Sequence, residues 1–207
     1  MFRVLPEFIG VLSSDCKENL YLYYNDSLYP LNVSLITVWN HNLIYIENQQ
    51  IYYTELSNYL RGKFQPKPII SLNQETTQEI QLSENYLLIK TNKNLYIFDI
   101  NFDLTYEEPI DNLLNSYKLN HQYLLKYEIS GNMNSLKILD LSKKTNILQK
   151  NVNIWNKDLG KVVIYKDDLF YLDSKFSLNL INIKNNQEKK FVDLINYKNG
   201  IITLHYY

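Results

Sequence analysis

Few residues in this chain stand at spacings that suit acid–base, nucleophilic or metal chemistry. The histidines are His41, His121 and His205. Two lie in polar turn stretches, Asn40-His-Asn42 and Asn120-His-Gln122, and the third in an apolar run. Imidazoles so placed would have to converge from separate segments to hold a metal ion, so turn polarity is their expected role. Cys16 is the only cysteine, which leaves no internal disulfide framework and no Cys-rich metal site, and favours a reducing compartment. A serine nucleophile would need a Gly-x-Ser-x-Gly elbow, and none is present. The five glycines, at 10, 62, 131, 160 and 200, are too scattered to cradle a phosphate. The sequence therefore assigns no catalytic residue, no metal ligand and no cofactor.

The residues suited to recognition are more concentrated. Segment 57–78 carries Tyr59, Arg61, Lys63, Phe64 and Lys67 beside Pro66 and Pro68. Segment 142–160 carries Lys143, Lys144, Lys150 and an isolated Trp155, while 103–115 is acidic, with Asp103, Glu107, Glu108 and Asp111. Aromatic and arginine side chains dominate binding hot spots, and loops on a rigid scaffold are where they gather. Tyr59, Arg61, Lys63, Phe64, Lys67 and Trp155 are the candidate partner-binding residues; the plain alternative is a set of solvated connections with the rings tucked against the nearest strand. Basic residues interleaved with aromatics also suit stacking on single-stranded nucleic acid. However, the 59–67 run is short, and 21 basic against 22 acidic side chains give a net charge of −1, so nucleic acid is not the expected partner.

The elements that must position these residues repeat. Ile51–Leu56, Leu95–Ile100, Leu136–Leu141 and Leu178–Ile183 share one pattern: apolar, variable, apolar, large or β-branched, acid or amide, apolar. Their first residues stand 44, 41 and 42 positions apart. Each follows another apolar run (Leu43–Ile46, Tyr86–Ile89, Tyr123–Tyr127, Leu169–Leu172) across a short polar turn, which is the hairpin signal. Before those come Leu35–Trp39, Glu79–Leu82, Ser116–Leu119 and Val162–Tyr165, with Leu194–Tyr197 opening a further unit. A fourth, outer strand is expected in the less regular stretch after each third strand, at Lys189–Asp193 in the last repeat. Nineteen tyrosines and no alanine agree with pleated, half-buried strands. A period near 42 built from such meanders is the signature of a propeller blade.

A third strand ending in apolar-x-apolar-aromatic-Asp-apolar, once per blade, resembles the WD40-type β-propeller repeat. The residues that carry the resemblance are Thr54-Glu55, Phe98-Asp99, Leu139-Asp140 and Ile181-Asn182. None is the Trp-Asp pair itself, and the Gly-His element is missing, although His41 and His121 lie in equivalent turns. The recurring acid or amide is expected to accept hydrogen bonds from the turn that follows, fixing the blade's corner, rather than to form a ring of ligands. Some five-bladed propellers are glycosidases that use paired carboxylates around the axis. Here the first strands hold only Glu79, which argues against an enzyme.

The expected fold is all-β: a single domain over 1–207, a small propeller of about five blades. Four repeats fill 34–193, and 194–207 would start a composite blade closed by N-terminal strands in 1–33, Leu20–Asn25 and Ser27–Val33 among them. The alternatives are an open ring completed by a partner's strand, or another β-meander, barrel or sandwich. The resemblance implies a non-catalytic interaction scaffold, a propeller subunit of a larger intracellular eukaryotic assembly, cytoplasmic or nuclear, bound to other protein subunits and without a membrane span. The second reading is a module that binds a peptide or nucleic acid on one propeller face. A polar, unplugged centre would favour it, and a plugged apolar centre would favour the scaffold.

Overall fold

A computed structural model describes residues 4–5, 8–9, 11–14, 19–24, 27–31, 36–112, 114–130 and 133–193, with side chains from 37 to 190 except 113 and 130–133. The chain divides into two compact units, Met1–Thr76 and Thr77–Tyr207.

In the first unit, β1 (Val4–Leu5) pairs with β2 (Phe8–Ile9), and β3 (Val11–Ser14), β4 (Asn19–Tyr24) and β5 (Ser27–Leu31) form a three-stranded antiparallel sheet. β4 and β5 fall on the expected N-terminal strands Leu20–Asn25 and Ser27–Val33 and pair with each other. On its other edge β4 pairs with β3. Residues 194–207 lie outside the described residues, and with them the expected closure of the ring. Blade 1 follows as β6 (Ile36–Trp39), β7 (Asn42–Glu47), β8 (Gln50–Glu55) and β9 (Lys67–Ser71), with helix α1 (Leu56–Leu60) between the last two.

The second unit holds three more blades, each paired in chain order. Blade 2 is β10 (Thr77–Leu82), β11 (Tyr86–Thr91), β12 (Asn94–Asp99) and β13 (Leu104–Pro109). Blade 3 is β14 (Ser116–Asn120), β15 (Tyr123–Ser130), β16 (Met133–Asp140) and β17 (Thr145–Asn151). Blade 4 is β18 (Val162–Tyr165), β19 (Asp168–Leu172), β20 (Ser177–Asn182) and β21 (Glu188–Asp193). Four consecutive four-stranded antiparallel meanders make this an all-β fold of the β-propeller type.

The hairpins form where the sequence can turn tightly. Asn40-His41 and Asn48-Gln49 both take positive φ, as two-residue hairpin turns require, and His121 does the same in blade 3. Asn and His tolerate that conformation better than most side chains. The two histidines therefore serve as turn residues; His205 lies outside the described residues.

The recurring acid also has its expected role. Asp99 Oδ1 accepts the backbone N–H groups of Asn101 (2.8 Å) and Asp103 (3.1 Å). Asp140 Oδ1 accepts from the Ser142 backbone (3.0 Å), the Ser142 hydroxyl (2.6 Å) and the Lys143 backbone (3.2 Å). Glu55 takes Asn58 Nδ2 at 3.2 Å together with the Ser57 hydroxyl, and Asn182 Oδ1 takes the Asn185 N–H at 3.3 Å.

Three fourth strands lie inside segments that read as inter-blade loops. Lys67 opens β9, Glu107 and Glu108 belong to β13, and Lys150 to β17. The reason is local: in all four blades the register slips between the third and fourth strands, at Ile51/Tyr52, Ile97/Phe98, Ile138/Leu139 and Leu178/Asn179. Such a bulge twists the outer strand and breaks the alternation that betrays a strand in sequence. The outer strands are also half-solvated edges, and Lys67, Pro68, Glu107 and Pro109 keep those edges from recruiting other chains.

Apolar cores lie between successive blades of the second unit. Leu88, Leu95 and Ile97 of blade 2 pack with Leu119, Leu124 and Leu139 of blade 3. Leu125, Tyr127 and Ile138 of blade 3 pack with Val162, Leu169 and Ile181 of blade 4. Burying side chains of this size contributes about 1.5–3 kcal/mol each, so these seams are the main force holding blade to blade.

Candidate interaction surfaces

Segment 56–67 is built as a shelf. Leu56 is buried and its N–H bonds the His41 carbonyl at 2.9 Å, which ties α1 to the first hairpin turn. The short helix ends at Gly62, whose φ of 70° is the left-handed conformation that lets the chain reverse. Its N–H reaches Tyr59 O at 3.0 Å, and the Lys63 N–H reaches Asn58 O at 2.8 Å. This turn delivers Phe64 onto a tyrosine stack: its ring centroid lies 5.6 Å from Tyr45 and, edge-on, 5.6 Å from Tyr59, and Tyr45 stacks on Tyr52 at 5.6 Å.

Tyr45 is 1% exposed and forms the floor, whereas Phe64 is 45% exposed and forms the top. Burial pushes the Tyr45 hydroxyl up to about 12, and that hydroxyl has no hydrogen-bond partner among the described residues. Arg61 and Lys63, beside Phe64 in the chain, are exposed. Lys67 is exposed too, but its Nζ stands 5.7 Å from the centre of the Tyr53 ring, on the face of β8 opposite Tyr52. The structure therefore brings Tyr59 and Phe64 together in the stack, with Arg61 and Lys63 exposed between them in the chain and Lys67 on the other face of the strand. Tyr45 and Tyr52 complete the stack, although in sequence they read only as strand residues.

Trp155 belongs to the other unit. It starts a single 3-10 turn, Trp155–Lys157, and its ring lies 5.6 Å from that of Phe176, with Lys161 Nζ 6.0 Å above it. Phe176 is 46% exposed at the tip of the β19–β20 hairpin, with a φ of 60° that a bulky side chain rarely adopts. Its turn is held by Asp173, whose Oδ1 accepts the N–H groups of Lys175 and Ser177, both at 2.8 Å. A cleft of about 300 Å³ is lined by Asn134, Asn151, Asn153, Asp173 and Lys175 among others, and neither the Trp155 nor the Phe176 ring lines it. Phe176 had read as part of a polar turn, and an aromatic among turn formers was the only sequence sign of it.

Polar side chains also span the seams of the second unit. Gln81 of β10 donates from Nε2 to Tyr117 O (2.8 Å), and its Oε1 accepts the Leu119 N–H (2.7 Å). One blade further on, Lys118 of β14 donates to Val162 O (2.8 Å) and Leu159 O (3.2 Å). The two are equivalent positions, each opposite a second-strand leucine (Leu88 and Leu125), and each grips the first strand of the next blade. Further out, Glu108 of β13 pairs with Lys126 of β15 at 3.1 Å, and Glu188 of β21 pairs with Lys150 of β17 at 2.7 Å. Tyr106 and Tyr171 donate to those same carboxylates. Burial, followed by these bonds, drives both phenols far above the ordinary tyrosine range.

Among the described residues no group of three His, Cys, Asp or Glu side chains is placed to hold a metal ion, and no helix is long and apolar enough to cross a membrane. No protein-family model matches the chain, and neither does any curated protein sequence. Similar solved structures include BamB from Moraxella catarrhalis, 11% identical with a TM-score of 0.49 over 88% of this chain and 60% of that one. The computationally designed Ika8 protein is 8% identical, with a TM-score of 0.49 over 89% of this chain and 62% of that one. The N-terminal domain of Nup159 is 15% identical, with a TM-score of 0.43 over 76% of this chain and 42% of that one. The chain thus spans less than two thirds of the length of each. At these scores the likeness adds no functional argument, and the propeller assignment rests on the chain's own sheets.

Proposed function

We propose that this protein is a non-catalytic interaction scaffold, a diverged WD40-type propeller acting as a subunit of a larger intracellular eukaryotic assembly. The observation that supports this best is the shelf: a ring 45% exposed at Phe64, seated on buried tyrosine, with the exposed cations Arg61 and Lys63 next to it in the chain. An exposed apolar ring with fixed support costs little entropy to bind, and neighbouring cations steer an acidic partner. The partner's contacting segment is therefore expected to carry carboxylates around an apolar anchor. The single cysteine suits a cytoplasmic or nuclear setting.

Affinity capture from the protein's own cells, with mass spectrometry of co-eluting chains, tests the reading. The wild type should recover the same few proteins in stoichiometric amounts. Phe64→Ala and the charge reversal Arg61→Glu should each reduce that recovery about tenfold or more, the loss expected for a hot-spot residue. Recovery unchanged in both variants, or no stoichiometric set with the wild type, would overturn the proposal.

The second reading, a ligand-reading module, is favoured by a separate observation. The first strands of blades 2 and 3 border an open polar cleft rather than an apolar plug.

A further inference from the structure

Several charged groups of the second unit are paired with one another across its strands. Lys126 bridges Glu108 and Glu128, Lys137 takes the other oxygen of Glu128, and Lys150 takes Glu188. One cluster is different. Between β10, β14 and the 3-10 turn Leu159–Lys161 that leads into β18 lies a cleft of about 440 Å³. Lys90 and Lys118 line it, both half-buried. The Lys118 ammonium donates to two backbone carbonyls. Lys90 reaches only Asn115 O, at 3.5 Å, and lies 5.5 Å from the centre of the Tyr117 ring. Among the described residues, neither is within ion-pair distance of a carboxylate. A cation that has given up water without gaining an anion is held at a cost. Consistent with this, burial pulls Lys118 below the ordinary lysine range, although the neighbouring charge of Asp158 opposes the shift.

The carboxylates of the cleft stand at its rim. Glu79 and Asp158 are both exposed. Glu79 Oε1 accepts Gln81 Nε2 at 2.9 Å, and Asp158 Oδ1 accepts the Gly160 N–H at 2.7 Å, so each is held in place with oxygen capacity to spare. A Cβ at residue 160 would meet Asp158 Oδ1 at 2.8 Å, so any other residue there would shift this carboxylate. The result is a graded site, cationic on its wall and anionic at its mouth.

We propose that this cleft binds a short zwitterionic peptide segment, with a carboxylate directed inward onto Lys90 and Lys118 and a cationic group outward onto Glu79 and Asp158. The inference rests on the ligand-reading alternative given above. The rim acids disfavour a phosphate dianion more than a monoanionic carboxylate, which decides between the two anions. The volume suits a few residues of extended chain, at the small end of ligand pockets.

Calorimetric titration of the full chain with the blocked tripeptide acetyl-Glu-Gly-Lys-amide tests the proposal. The controls are acetyl-Gln-Gly-Lys-amide, acetyl-Glu-Gly-Gln-amide and inorganic phosphate. The zwitterionic peptide is expected to bind about tenfold or more tightly than any control, with affinity falling as salt rises. Lys90→Gln and Asp158→Asn should each weaken it by about tenfold while leaving thermal unfolding unchanged. Equal binding of a neutralised peptide, tighter binding of phosphate, or indifference to Lys90→Gln would overturn the zwitterion assignment. If a control binds and Lys90→Gln abolishes that binding, the cleft still reads a ligand of another kind. If none of the four binds the wild type, both this inference and the ligand-reading alternative fail.

Discussion

At the residue scale, two buried groups make opposite predictions. The Asp140 side chain is 1% exposed. Burial alone would raise its pKa, but hydrogen bonds from Ser142 and from the backbone and side chain of Lys143 outweigh that, and the carboxyl is held below the ordinary aspartate range. Asp140→Ala is expected to cost about 2–3 kcal/mol in urea unfolding at neutral pH, since it orphans several donors. A depressed folded pKa gives stability that is present above the unfolded aspartate value, about 3.9, and is lost as pH falls through the folded value. The gap between wild type and variant should therefore shrink as the pH is taken below about 4, and a gap that stays constant to low pH would contradict the assignment. Tyr45 behaves the other way. Its hydroxyl is unpartnered among the described residues, so Tyr45→Phe should leave stability unchanged or raise it by up to about 1 kcal/mol. A loss of about 1 kcal/mol or more would show that the hydroxyl has a partner.

At the scale of the element, the first three strands of each blade were legible because their cause is local: alternating or continuous apolar runs separated by turn formers. The third-strand acid was legible in its role as well as its position, since a carboxylate one residue before a turn has few other partners within reach. The fourth strands were expected after each third strand, and Lys189–Asp193 does lie in β21 (Glu188–Asp193). The bounds of the other three were not legible, because a register slip interrupts each pairing and because they are edges with one face in water. Gln81 and Lys118 were equally silent. Each reads as a polar position on a first strand, and only the next blade's backbone gives it a purpose. Gln81→Ala should cost about 1–2 kcal/mol by removing both bonds to the neighbouring strand. Thermal or urea unfolding indistinguishable from wild type would mean that the apolar seam alone holds these blades.

At the scale of the whole molecule, four meanders of one design follow one another in the chain, and the remaining question is how many cooperative bodies they make. Single-domain folding over 1–207 is a proposal that calorimetry tests directly. One transition whose calorimetric and van't Hoff enthalpies agree supports it. Two resolved transitions would instead assign separate stabilities to the compact units 1–76 and 77–207.

The sequence by itself determined the period, the strand polarity, the hairpin turns and the corner carboxylates, because each depends on residues within a few positions of one another. It also placed Tyr59, Arg61, Lys63, Phe64 and Lys67 in one segment, which needs no tertiary knowledge. Only the tertiary structure decided that Phe64 rests on Tyr45 and Tyr59, that Trp155 is paired with Phe176, and that Lys90 and Lys118 share a cleft in which, among the described residues, neither is within ion-pair distance of a carboxylate. These contacts join residues on separate strands or separate blades, where burial and charge are set by what packs alongside, and no local pattern in a chain records its neighbour across a seam.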